Sequence, residues 1–206
     1  MARTRSQDYD AIKVAILDKA ADLFAKQGFA NTSITEISEV SGLSKSGIYH
    51  YFKSKHEVLD TIISEHVETV FDVVGSAMQA SPEPVKQFET LTLLLMKTYS
   101  RSKSRHTVLM NELGCLHERE RERIVALERR VVRFTESIIE KINPNVMKNV
   151  GVSRSVVMLF FGMINWTYTW YDAGLSVSPE RLARMACSIF MNGLQATDFT
   201  DNGKPS

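Results

Sequence analysis

The sequence predicts an all-α protein. Apolar residues recur at helical spacing and nowhere alternate strictly with polar ones. Only five prolines and ten glycines punctuate 206 residues. Ser-x-x-Glu patterns, which cap helix N-termini, occur at Ser33–Glu36 and Ser54–Glu57.

Each element follows from local chemistry. Ile12, Ala15, Ile16, Ala20, Leu23 and Phe24 share the face of a first helix over 10–28, which Gly28 stops. Ser33 opens a short second helix with Ile37 and Val40 on one face. The run Ser41-Gly-Leu-Ser44 ends it, and Ser44 caps a third helix of only 45–52. A long fourth helix starts at Ser54 and runs towards Ala80. Ser81-Pro82-Glu83 starts a fifth, with Pro at the first helical position. A charge-rich helical stretch spans 108–142 with an interruption near Gly114, and Asn143-Pro144-Asn145 breaks it. Ser153 opens a helix through Trp170, and Ser178-Pro179-Glu180 caps the last one, to about Leu194. The tail from 197 to 206 has the composition of a disordered end.

Composition narrows the function. Net charge is +1, so a nucleic-acid site must be a local patch rather than a bulk property. Two distant cysteines, Cys115 and Cys187, make no disulfide framework and suit a reducing cytoplasm. The N-terminus lacks the apolar stretch of a signal peptide. The longest apolar run, near 156–166, is short of the ~20 residues that span a bilayer, so no membrane partner is expected. His56-Glu57 and His117-Glu118 lack a second histidine four residues on, so the zinc-protease pattern fails. His106, Cys115, His117 and Glu118 match no zinc spacing, and Cys115 reads as a packed thiol. No phosphate-binding glycine loop occurs. We therefore expect no enzyme, metal or cofactor. A helical enzyme or a scaffold protein is the rival reading, and salt-dependent promoter binding separates it from a regulator.

The stretch Leu43–Lys55 asks for a different function. It carries three lysines and no acid, while residues 1–60 as a whole are balanced at eight bases and eight acids. Ile48 and Phe52 lie four apart and can bury together. Lys45 and Tyr49 share another face, with Ser46 and His50 beside them, and Gly47 lets backbone approach a surface. The second and third helices form a helix-turn-helix, which suits insertion into a major groove. Lys53 and Lys55 stand where phosphates would pass, and Arg3 and Arg5 form a basic arm. A Tyr/Phe cluster on a short helix also suits a plain core, so the trio alone leaves both readings open.

Residues 11–60 resemble the DNA-binding domain of TetR-family transcriptional regulators. The matching points are Ala21, Phe24, Gly28, Thr35, Ile37, Gly42, Ser44-Lys45, Gly47, Tyr49, Phe52, Lys55 and Leu59. The resemblance implies that Lys45, Ser46, Tyr49 and His50 face double-stranded operator DNA, that Thr35 and Lys55 touch its backbone, and that Ile48 and Phe52 stay buried. It implies a DNA-binding domain over 1–56 and a ligand-binding and dimerisation domain over 57–196.

Residues 156–171 hold two each of Phe, Trp, Tyr and Met. A helix so apolar all round is buried on most sides, in a core, an interface or a pocket. Residues 155–194 are similar to a TetR branch that senses acyl-CoA thioesters, phenylacetyl-CoA among them. The excess of Lys/Arg over Glu between Arg101 and Arg133, nine against five, would suit the CoA phosphates. The expected effector contacts are Met110, Leu113, Arg130, Phe161, Asn165, Trp166 and Trp170. The family likeness makes the last two helices a homodimer interface, with Met185, Ile189 and Phe190 in its stripe. The implied function is a dimeric repressor of a palindromic operator, released by a small effector.

Overall fold

The structure is a computed structural model that describes residues 2–148, 151–172, 174 and 177–199, with the side chains of 2–7 and 147–148 outside that description. Ten α-helices follow in chain order: α1 Ala2–Gln27, α2 Ile34–Ser41, α3 Lys45–Tyr51, α4 Lys55–Gln79, α5 Pro84–Arg101, α6 Lys103–Glu112, α7 Glu118–Ile142, α8 Val152–Asn165, α9 Thr167–Trp170 and α10 Pro179–Ala196. Among the described residues there is no strand, and no helix is long and apolar enough to cross a membrane. The interruption expected near Gly114 is a short 3-10 turn over Leu113–Cys115. The fifth helix starts at Pro84 rather than Pro82, and α8 ends at Asn165, leaving α9 as a separate turn.

By its internal contacts the chain divides into two units, 1–67 with 102–125, and 68–101 with 126–206. In the first unit, Ile16, Leu17, Ala20 and Phe24 bury one face of α1, and Ile37, Ile48, Phe52, Leu59 and Ile62 close the core over it. α6 packs along α1. Arg105 ties it there by pairing with Asp18 at 2.9 Å and Glu65 at 2.8 Å. Inside this unit His66 Nε2 lies 3.1 Å from His106 Nδ1, and both rings are buried.

The second unit is built on aromatic packing. Phe88 of α5 lies 4.8 Å from Phe160 of α8 and stacks on Phe190 of α10 at 5.2 Å between centroids. Leu91, Leu95, Ile138, Ile139, Ile164 and Leu194 fill the space around them. Asn143 donates to the Leu194 carbonyl at 2.9 Å, so the break after α7 is held to the end of α10.

Burial, helped by the Arg105 charge, pushes the His66 imidazole down to about 4. The unfolded chain then takes up a proton near 6.5 that the fold resists down to about 4. Stability is therefore full above about pH 6.5 and falls as pH drops towards 4, by an amount on the order of 3 kcal/mol. Urea unfolding midpoints measured from pH 7 to 4 should show this slope, and His66→Phe should flatten it.

Candidate nucleic-acid interface

The helix-turn-helix is set by its caps. The Ser33 hydroxyl accepts from Glu36 N at 3.2 Å, and Glu36 Oε2 accepts from Ser33 N at 2.7 Å, closing a full capping box. Gly42 ends α2 at φ +67°, a left-handed conformation that glycine adopts at little cost. There Gly42 N donates to Glu39 O at 3.2 Å and Leu43 N to Ser38 O at 3.0 Å. Ser44 then caps α3, accepting from Gly47 N at 3.1 Å while its Oγ lies 2.9 Å from Ser46 Oγ.

α3 presents two faces. Ile48 and Phe52 are buried, at 0% and 1% exposure, whereas Lys45, Ser46, His50 and Tyr49 (54%) are exposed. A cation, a hydroxyl, a phenol and an imidazole thus share the open side. Gly47 is half-buried, and a Cβ there would meet Leu43 Cβ and Ser44 Oγ at 3.4 Å. Those are ordinary van der Waals contacts, so the turn itself would accept a Cβ there. Thr35 is half-buried on α2, and its carbonyl accepts from Ser38 Oγ at 2.7 Å. The Arg5 side chain lies outside the described residues.

Lys55 has a different role from the one its sequence position suggested. Its Nζ donates to Phe29 O at 2.7 Å and Thr32 O at 2.6 Å, and sits 4.2 Å from the Phe29 ring centroid. It clamps the loop after α1 instead of standing free for a phosphate. Lys53 is exposed, and its backbone N donates to Glu57 Oε2 at 2.5 Å. Tyr9, Tyr51 and Gln27 escaped the sequence reading. Gln27 Nε2 donates to Glu36 Oε1 at 3.0 Å, which helps hold the Glu36 carboxyl below its ordinary range. Tyr9 packs on Tyr51 at 4.6 Å between centroids and meets His50 edge-to-face at 5.9 Å. The signal was available: positions 9, 13, 16, 20 and 24 continue one helical stripe, but the first helix was taken to begin at Asp10.

Enzyme features are not assembled. Among the described residues no group of three metal donors comes together. Cys115, expected as a packed thiol, is exposed; partial burial and then Glu112, whose Oε2 accepts from its Sγ at 3.3 Å, push it up, away from the reactive thiolate.

The residues assigned to an effector scatter. Met110 and Leu113 are half-buried in the first unit, and the other five belong to the second. Phe161 is buried in the aromatic core, and the buried Asn165 Oδ1 has no hydrogen-bond partner among the described residues. Arg130 is exposed and stacks over the Phe71 ring at 4.4 Å. Trp166 and Trp170, expected in a pocket, are 63% and 56% exposed. A groove of about 670 Å³ between α5 and α10 is lined by Leu93, Ala183, Cys187 and Met191 among others, and by none of the seven. Of the interface stripe, Met185 and Ile189 are exposed, at 47% and 64%. Phe190 is turned the other way, onto Phe88 and Phe160, because adjacent helical residues point about 100° apart.

An all-helical chain whose helix-turn-helix holds polar, cationic and aromatic groups outward over an apolar anchor defines a DNA-binding transcriptional regulator. The chain belongs to the TetR family: residues 16–62 match the model for bacterial regulatory proteins of the tetR family, and residues 81–194 match that for the tetracyclin repressor-like C-terminal domain. Its fold agrees with the crystal structure of a TetR-family transcriptional regulator from Bordetella parapertussis at 36% identity and a TM-score of 0.84, over 87% of this chain and 93% of that one. The HTH-type transcriptional repressor KstR2 of Rhodococcus jostii is 25% identical over 186 residues, 88% of this chain and 90% of the relative. The crystal structure of AibR in complex with isovaleryl coenzyme A and operator DNA has a TM-score of 0.74 at 23% identity, covering 86% of this chain and 97% of that one.

Lys45 and Lys55 should separate in experiment. Lys55→Met leaves two carbonyls without their charged donor and should lower stability by about 1–3 kcal/mol in urea unfolding. Lys45→Ala should stay within about 0.5 kcal/mol of the parent and act on DNA affinity instead.

Proposed function

We propose that this chain is a repressor that binds a roughly palindromic operator as a homodimer and is released by a small effector. The observation that carries the reading is α3: Lys45, Ser46, Tyr49 and His50 stand outward while Ile48 and Phe52 hold the helix from beneath. The N-terminal residues of such a helix reach base edges in a major groove. Thr35 and the exposed Lys53 supply backbone contacts at its flanks.

Dimerisation is supported by an uncovered apolar surface. Met158, Leu159 (71% exposed) and Trp166 of α8 and its C-terminal turn, with Met185 and Ile189 of α10, leave large side chains in solvent. Trp166 thus fits an interface better than a pocket. A second copy meeting it across a two-fold would bring an identical surface and two reading heads.

The effector is proposed to occupy the second unit. Asn165 Oδ1 offers a buried acceptor in want of a donor, and Arg130 an exposed guanidinium suited to phosphate. These features, and the isovaleryl coenzyme A held by AibR, support an acyl-CoA thioester. The likeness to KstR2 repressors, one of them a ketosteroid transcriptional regulator, supports a bulkier, ketosteroid-type effector equally well.

Selection of genomic fragments with purified protein, followed by release with a panel of CoA thioesters, tests this reading. The wild type should lose affinity steeply with salt. Lys45→Ala with Tyr49→Ala should remain folded and lose at least about tenfold in gel-shift affinity; undiminished binding would remove α3 from the interface. Leu159→Asp with Ile189→Asp should sediment as a monomer and bind the operator weakly.

A further inference from the structure

We propose that Tyr9 is a positioning residue for operator readout, holding the His50 imidazole in the orientation that meets its base pair. The inference rests on the reading above that α3 enters the operator. Tyr9 precedes the stretch matched by the DNA-binding family model, which begins at residue 16.

Three rings make one cluster. Tyr9 lies on Tyr51 at 4.6 Å between centroids with an interplanar angle of 30°, a tilted pair. His50 stands edge-to-face to both, at 5.9 Å and 80° to Tyr9 and at 5.3 Å and 87° to Tyr51. Adjacent residues of a helix ordinarily diverge. His50 and Tyr51 meet because both lean towards the ring that α1 lays against them. The same stripe of α1 carries Lys13, whose ammonium lies over the Phe52 ring at 5.6 Å, a second point at which α1 meets the end of α3.

The cluster does work that packing alone does not require. Tyr9 is itself 38% exposed and His50 is exposed, so neither ring fills the core. An unbraced histidine at the last turn of a seven-residue helix would sample several rotamers. Fixing one of them on contact with a base would cost conformational entropy. Two edge-to-face contacts restrict the imidazole beforehand, so less is lost when it meets its base. Tyr9 thus sets how sharply His50 discriminates without itself reading sequence.

The test is a double-mutant cycle on the selected operator with all base substitutions. Tyr9→Ala should weaken the best operator by about 2- to 10-fold, the range of a lost aromatic pair. It should also flatten preference at one symmetry-related position per half-site. Tyr9→Phe should restore both. His50→Ala should abolish the same preference, and Tyr9→Ala should then add nothing. The salt dependence of affinity should be unchanged throughout, since no phosphate contact is lost. Additive losses from the two alanines, or an altered salt slope with the base preference intact, would overturn the positioning role while leaving the regulator reading in place. A wild type that selects no operator would overturn the regulator reading itself. Circular dichroism checks folding, and Tyr9→Leu, which keeps apolar cover without the ring, replaces an alanine variant that melts.

Discussion

The ammonium of Lys55 is the contact on which the first unit is organised. It reaches back 26 and 23 residues to the carbonyls of Phe29 and Thr32, and it lies over the Phe29 ring. Those carbonyls follow the end of α1, where the helix can no longer supply donors. Gly28 turns the chain there at φ +84°. A charged donor shared between two carbonyls holds such a loop better than neutral bonds would. The loop leads directly into Ser33 and the capping box of α2, so the angle at which α2 and then α3 leave the core is set from this point. Gln27, bonded to Glu36, fastens the same corner from the other side.

Much of this was legible in the sequence because caps are local. Ser33, Ser44 and Ser178 each accept from a backbone N–H three residues on within their own helix, and Gly42 takes its left-handed turn unaided. The reading of α3 as Ile48 and Phe52 inward, Lys45 and Tyr49 outward, needed only helical periodicity and agrees with the structure. What could not be read depends on partners remote in sequence. Nothing near Lys55 announces that its side chain belongs to a loop over twenty residues earlier. Tyr9 lies just before the helix start that the sequence predicts at Asp10, in the polar stretch 2–9, where a single ring is all that continues the stripe of α1. The effector contacts were the least legible, since a Trp or Phe on a helix looks the same whether it faces a core, a cavity or solvent.

The aromatic stretch 156–171 illustrates that ambiguity. Its composition predicts burial on nearly every side, yet Phe160 and Phe161 are enclosed while Leu159 and Trp166 are not. Two faces of one helix are therefore apolar for different reasons. The inner face completes the stack of Phe88, Phe160 and Phe190, whose geometry fixes α5, α8 and α10 against one another. The outer face has no such partner among the described residues. Phe190 and Ile189 repeat the division on α10, with one ring packed inward and the adjoining side chain open at 64%.

Where such side chains join in one patch, the surface is costly in water and is rarely left bare on a chain that acts alone. A second copy resolves the cost with residues already present, because a two-fold contact sets a surface against itself and needs no separate complement. The same symmetry would repeat α3 and its ring cluster in the opposite sense along a duplex, whose half-sites are related by the same operation. In the proposed dimer, the outer face of α8 and α10 and the open face of α3 would be two parts of one requirement: each half-site would be read by a single short helix, and a seven-residue helix would offer too few contacts to hold DNA unless the reading were made twice.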